Sequence, residues 1–425
     1  MYAGSSANRN TVSDPSDNPS SPRTDGMDHS DAPKRTQPSI RSWTVVAPAI
    51  AVLLAGYPAA LPASPPLKTD RLGNVPVPAV DVLKQLQAGK YFLHARAGRL
   101  GRVPVEKVKL PGVKGEEGGL VALGPGGSVY VGRKTLLCKS TDGGRHWTSY
   151  QRSADLSGGF FKVLRDGTMI TVTQDRTDGR FSQASRVHVW KSSDEGKTAS
   201  KIGSIKLPTE RFTRYTVFGL TLLSDGTLLC RVKLYGVVSS RRDTLMLYRS
   251  TDRGRNWQGP HKLADWCSQG DIVATPSGNL LATLRYQRGR RAADRPETDR
   301  RGFKHLFLAE SADKGLSWRN LRPLTTVFGQ CYGCPAIQSD GTMVVIHDTR
   351  YGPGHRGSRA MVSYDQGRTW ADEVYYVSYT EDRAEPSFSV VLADDTILSI
   401  VGADTKWKGP IDLFAIRWKP ARPAK

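Results

Sequence analysis

Cysteine is scarce in this chain, helical periodicity is nearly missing, and acidic residues are outnumbered. Only five cysteines occur in 425 residues, and Cys331 and Cys334 form a lone C-x-x-C with no second pair. That spacing lacks the quartet a structural zinc needs, so no metal is expected, and no motif calls for a cofactor. Apolar residues do not recur at helical spacing over any useful length, which argues against bundles and α/β folds. Asp and Glu number 40 against 61 Lys and Arg, a net charge of +21. Such a balance attracts anions and says nothing about fold, and a solvated basic surface explains it as simply. Nucleic acid is not the expected partner, because the chain shows neither a groove-reading helix nor an RNA-binding aromatic signature.

The first segments read as processing rather than fold. Residues 1–42 are rich in Ser, Asp, Pro, Asn and Arg, bury almost nothing, and are expected to be disordered. Residues 43–63 are apolar from Trp43 to Leu61, follow the basic KRTQPSIR, and reach small residues near Ala63. That is the pattern of a signal peptide or signal anchor. Pro48, Pro58 and Pro62 weaken it as a permanent span, so any membrane link runs through this segment alone. A start at Met27 would give the signal an ordinary length. Residues 64–85 read as a linker and 86–425 as the folded domain. The expected location is extracytoplasmic.

Two repeats alternate through that domain. The octapeptide STDGGRHW begins at Ser140 and returns as SSDEGKTA (Ser192), STDRGRNW (Ser250), SADKGLSW (Ser311) and SYDQGRTW (Ser363). Between the octapeptides lie LVALGPGGSVYVG, FKVLRDGTMITV, LTLLSDGTLLCRV, IVATPSGNLLATL, PAIQSDGTMVVIH and VVLADDTILSIV. Each is an apolar strand, a tight turn and a second apolar strand, which is a hairpin signal. Six such units at a period of about 55 residues describe an all-β, six-bladed propeller with four-stranded antiparallel blades. The octapeptide falls between the third and fourth strands. Its Asp and Ser are expected to accept backbone N–H groups, its Gly to take positive φ, and its Trp to pack between blades. A sixth, degenerate copy is expected at DLFAIRWK, and Ala199 leaves the second turn without its Trp.

This octapeptide resembles the Asp-box (BNR repeat) of the sialidase, or neuraminidase, superfamily, over roughly residues 100–420. Fold alone does not settle function in such a superfamily. The resemblance implies a site on the face opposite the boxes, with three arginines, a Tyr nucleophile with a Glu partner, and an Asp acid/base. Arg285 falls at the second arginine's place. Arg356 best matches the third, with Arg350 and Arg359 as rivals. Gln269 stands where the Glu partner belongs, and no Asp or Glu lies between the first hairpin and the first box. Glu117 occupies the first arginine's place, and no Tyr is in register in the sixth unit. Tyr332, Tyr376 and Tyr379 are the nearby tyrosines.

Counting ten residues back from each hairpin glycine (or Asp395 in its place) gives Glu117, Ser157, Thr216, Ser268, Cys331 and Glu385. In a closed ring Glu117 and Glu385 become neighbours, and Asp404 can join them. Such carboxylates can share a proton, bind a cation, or act as acid and base on a sugar; as solvated rim acids they would do nothing. Arginines in the same-face loops suit carboxylate, sulfate or phosphate oxygens. The ligand-binding candidates are thus Arg285, Arg350, Arg356, Arg359, Gln269, Tyr332 and Asp404, and the catalytic candidates Glu117 and Glu385. Cys267 starts a strand beside Cys331 and Cys334, so a bridge is expected there in an oxidising compartment. Cys138 and Cys230 read as packed thiols. The expected function is recognition of a glycan or other small anionic ligand at the axial mouth, departing from sialidase catalysis. The alternatives are an active exo-sialidase or other glycoside hydrolase, and a protein-interaction scaffold.

Overall fold

The computed structural model describes residues 83, 86, 91–96, 99–115, 120–174, 186–208, 212, 214–236, 243–287, 304–324, 330–349, 356–379, 387–403 and 411–421. Their strands form six antiparallel sheets, five of four strands and one of six. The six inner strands are Leu120–Leu123, Phe160–Val163, Arg214–Leu222, Cys267–Ala274, Gln330–Ile337 and Phe388–Val391. Each lies against the inner strands of two neighbours, and the last lies against the first. The sheets are therefore the blades of a closed six-bladed propeller, numbered here from Leu120. Val, Leu and Ile alternate along the strands, and the blades bury them against one another in a chain of apolar clusters.

The octapeptides make the turns they were expected to make. Ser140 Oγ accepts Gly144 N at 2.8 Å and donates to Asp142 Oδ1 at 2.8 Å. Asp142 Oδ1 accepts the backbone N–H groups of Arg145 and His146, each at 3.0 Å. Trp147 Nε1 closes the turn on Gly144 O at 2.9 Å. The second turn keeps its Ser and Asp bonds without a Trp, and Thr198 Oγ1 adds one to Asp194 Oδ2.

A second feature was not legible in the repeat. The residue before the box glycine is also left-handed, at Glu195, Arg253, Lys314 and Gln366, and only the first box has a glycine there. In three blades this residue reaches the preceding blade. Glu195 takes Lys139 Nζ at 2.5 Å and the Tyr130 hydroxyl at 2.9 Å. Arg253 pairs with Asp166, and Lys314 with Asp225 at 2.6 Å. The boxes are thus inter-blade ties as well as turns.

Two expectations are corrected. DLFAIRWK is no sixth box: it lies in strand Ile411–Trp418, the third strand of blade 6, whose side chains from Leu413 to Trp418 are mostly buried. The fourth strand of that blade is Glu106–Gly115, from the other end of the propeller, pairing Ile411 with Gly115 and Arg417 with Glu106. No turn is needed where the chain does not reverse. The expected bridge among Cys267, Cys331 and Cys334 is also not made. All five cysteines are buried and none is joined in a disulfide. Cys334 Sγ instead accepts Ser389 N at 3.2 Å, which ties blade 5 to blade 6.

Upstream of the first blade lies an added hairpin, Tyr91–Arg96 with Arg99–Pro104, which extends blade 5 to six strands through Glu373–Tyr376. The join is polar and buried. Glu373 takes His94 Nε2 at 2.7 Å, Arg96 Nε at 2.5 Å and the Tyr364 hydroxyl. Burial opposes its ionisation, yet these partners hold its carboxyl below the usual range.

Two predictions follow from these contacts. Leu110, on the closing strand, is 1% exposed, so Leu110→Ala should cost about 2–5 kcal/mol in chemical denaturation. Box carboxylates carry a pH signature. Backbone donation from Thr198 pulls Asp194 down to about 2, against about 3.9 unfolded. A depressed carboxyl stabilises above its unfolded value and loses that contribution as pH falls through its folded one. Thermal midpoints should therefore hold from pH 7 to about pH 5 and decline progressively towards pH 2.

Candidate functional site

Inner strands run from one face towards their hairpin turns, so their starts converge on the face opposite the boxes. A cavity of about 390 Å³ opens there, lined by blades 2 to 6. Its shape depends on bulges. In blade 3, Val217 pairs with Val232 and Gly219 with Arg231, which leaves Phe218 over. In blade 4, Ser268 pairs with Arg285 and Gly270 with Leu284, which leaves Gln269 over. In blade 5, the register shifts between Cys331 and Cys334, around Tyr332 and Gly333. An extra residue in one strand cannot join the ladder and re-aims its side chain. Phe218, Gln269, Tyr332 and Gly333 all line the cavity. Tyr332 accepts φ 51° to do so, a left-handed backbone that strands rarely contain.

The wall combines aromatic rings with polar side chains. Phe160, Phe218 and Phe388 come from blades 2, 3 and 6. Gln174 is committed to the wall, its Oε1 accepting Val217 N at 3.0 Å. Two other polar atoms are not committed. Gln269 Oε1 and Ser387 Oγ are buried and have no hydrogen-bond partner among the described residues. Such atoms are costly to bury unmatched.

At the rim, Arg285 Nε donates to Ser268 Oγ at 3.0 Å, and its Nη1 lies 3.4 Å from the Tyr332 hydroxyl. The guanidinium stands 5.2 Å from the centre of that ring. Arg214 and Lys233 flank the Tyr235 ring nearby, each at 4.3 Å. Lys233 also pairs with Asp243 at 2.9 Å, and burial pushes its ammonium down despite that carboxylate. The mouth on this side is basic.

Asp271, which is not among the sequence candidates, also lines the cavity. Its Oδ1 meets Arg231 Nη1 at 2.8 Å, Thr221 Oγ1 at 3.2 Å and its neighbour Ile272 N at 2.8 Å. Arg231 starts on the second strand of blade 3 and reaches the axis across Gly219. A Cβ at 219 would lie 1.8 Å from Arg231 Nη2, so no other residue leaves that path open. Burial opposes ionisation of Asp271, but Arg231 and Lys162 outweigh it and hold the carboxyl below its usual range.

Of the sequence candidates, Gln269 and Tyr332 line the cavity and Arg285 stacks on Tyr332. Arg356 immediately precedes strand Gly357–Ser363 of blade 5. Arg359 lies within that strand, 2% exposed, its guanidinium 5.1 Å from the Tyr376 ring. It stands opposite His347, which burial pushes down to about 3. Glu117, Glu385, Arg350 and Asp404 lie outside the described residues, as do the longer arginine-rich loops. Among the described residues no group of three His, Cys, Asp or Glu could hold a metal ion. No described helix is long and apolar enough to cross a membrane, and the apolar run 43–63 is not among the described residues.

Comparisons with solved structures agree with this architecture. An α-L-arabinofuranosidase of Fusarium graminearum superposes with a TM-score of 0.54 at 12% identity, over 77% of this chain and 98% of that one. A protein of unknown function from Dyadobacter fermentans gives 0.52 at 17%, over 74% and 99%. A Hadza microbial sialidase gives 0.50 at 15%, over 71% and 65%. At such identities the likeness is one of fold. Among curated proteins none matches the chain. The BNR repeat-like domain family matches residues 161–374, half of the chain and the stretch that holds four of the five Asp-boxes. With its six antiparallel blades and its repeated Ser-x-Asp-x-Gly turns, the chain belongs to the BNR repeat-like family, within the sialidase superfamily of propellers.

Proposed function

We propose that this propeller recognises a glycan at its axial cavity and does not run the retaining sialidase reaction. One observation carries the reading: an open cavity of about 390 Å³ joins the rings of Phe160, Phe218 and Phe388 to the polar side-chain atoms of Gln269, Asp271 and Tyr332. Sugar hydroxyls match such atoms, and the carbon face of a sugar ring packs against phenylalanine. The basic rim around Arg285 suits a glycan that also carries an acid group. The basic-flanked apolar segment at 43–63 supports export, where such ligands are found.

The departure from sialidase chemistry rests on Gln269, an amide at the place of the Glu that would activate a tyrosine. An amide cannot take up a proton in that role. A glycosidase reading has one specific support, the Tyr332 hydroxyl held near Arg285 at the cavity. Fluorogenic α-sialoside and α-arabinofuranoside are both expected to remain uncleaved by the full chain. Turnover that disappears in Tyr332→Phe would replace recognition by hydrolysis.

Binding is measured by titration calorimetry and ligand-observed NMR. The panel comprises the methyl glycosides of arabinose, galactose, glucuronic acid and N-acetylneuraminic acid. At least one should bind the full chain. Gln269→Leu should weaken it about fivefold, the equivalent of one hydrogen bond of ~1 kcal/mol. Failure of the whole panel would return the molecule to the scaffold reading.

A further inference from the structure

We propose that Asp271 decides which sugar residue the cavity holds, its Oδ2 accepting hydrogen bonds from two adjacent ring hydroxyls of a neutral residue. This deepens the glycan reading and rests on it.

The two oxygens of Asp271 are not equivalent. Three donors converge on Oδ1: Arg231 Nη1, Thr221 Oγ1 and Ile272 N. Among the described residues no donor is set on Oδ2, and 27% of the side chain remains accessible where it lines the cavity. The clamp on Oδ1 is itself braced, because Arg231 Nη1 also donates to Thr221 Oγ1 at 2.7 Å. The carboxylate is thereby held at a fixed angle, with one oxygen spent on the protein and the other turned to the cavity. Preorganised acceptors of this kind lose little freedom when a ligand arrives.

The surroundings select the occupant. An ionised carboxylate only accepts hydrogen bonds, so it needs donors, and one oxygen has lone pairs for two of them. Adjacent hydroxyls on a sugar ring supply that pair, and charge-assisted bonds are roughly twice as strong as neutral ones. A cation is disfavoured because Lys162 from blade 2 and Arg231 from blade 3 already face the same carboxylate. An acid group against Oδ2 would meet like charge at short range. Any acid on the glycan therefore belongs at the rim beside Arg285, on a different residue or on the far side of the same one. The remaining titratable neighbour, Cys334 from blade 5, is pushed by burial up to about 12 and stays a neutral thiol.

The test uses the full chain and the glycoside panel above. Asp271→Asn keeps the shape and the acceptor that faces Arg231 but turns the cavity-facing atom into a donor. Its affinity for the best-binding glycoside should fall at least about tenfold, equivalent to ~1.4 kcal/mol. A measurement on the unaltered chain guards against misfolding of the variant. Among monodeoxy analogues of that glycoside, removal of either of two adjacent hydroxyls should cost about tenfold, and removal of the others little. Gly219→Ala displaces Arg231 without touching the cavity lining. Loosening the clamp lets the Asp271 carboxyl rise towards its usual range, so binding should fade at a higher pH in Gly219→Ala than in the unaltered chain. A purely structural residue would leave that pH limb where it was. Glycosides bound equally by Asp271→Asn, or deoxy analogues bound as well as the parent, would overturn this assignment and leave the glycan reading standing. A panel that the unaltered chain does not bind at all would remove both.

Discussion

Everything in this molecule depends on one set of backbone hydrogen bonds, those between Glu106–Gly115 and Ile411–Trp418. A ring of blades closes only if its last blade is completed, and here the completing strand comes from the beginning of the propeller. Those bonds fix blade 6 against blade 1, and with it the convergence of six inner strands on one axis. Without that convergence, side chains from blades 2, 3, 4, 5 and 6 would not share a cavity. The box side chains tie three of the neighbouring pairs on the opposite face. The mouth, relieved of that duty, carries the irregular backbone.

That division of labour explains how the site is built. Regular ladders aim side chains alternately to two faces and give no means of bringing three successive blades to one point at the same depth. Bulges do so by adding one residue to a strand without a partner for it. Blades 3, 4 and 5 each carry such an irregularity near the mouth, and the residues involved are the cavity wall. The left-handed backbone at Tyr332 is the local cost, of order 1–3 kcal/mol, and it is sustained by the packed strands on either side.

How much of this the sequence disclosed follows from the range of each signal. The box and the hairpin turn are local: Ser, Asp and Gly bond within one turn, so their spacing can be read directly and led to six blades. The sixth box was expected because the period was extended by one. The chain instead ends its third strand there and pairs it with a segment whose sequence, EKVKLPGVKG, carries no mark of its partner. Gln269, Tyr332 and Arg285 were legible because they sit at fixed distances from hairpin glycines. Asp271 was not, since a count made to the start of the strand passes over a residue that only a bulge turns inward. Arg231 was further from reach still. It lies on a second strand, and it arrives at the axis through a gap whose existence depends on a glycine twelve positions earlier. Polar residues in apolar strands, such as Lys162, Arg231 and Asp271, were the available clue: three charged residues on neighbouring blades at positions where the pattern calls for apolar ones.

Ring closure also governs how the chain can fold. The strand that completes blade 6 is made early, and its partner is the last strand of the propeller to be made. Until then Glu106–Gly115 must wait, with blade 6 open at its edge. A pairing of this sequence separation comes late, after the loop entropy of the whole ring has been overcome, and folds dominated by such contacts are slow. The inter-blade ties made by Glu195, Arg253 and Lys314 act between consecutive blades and can form as each blade is completed.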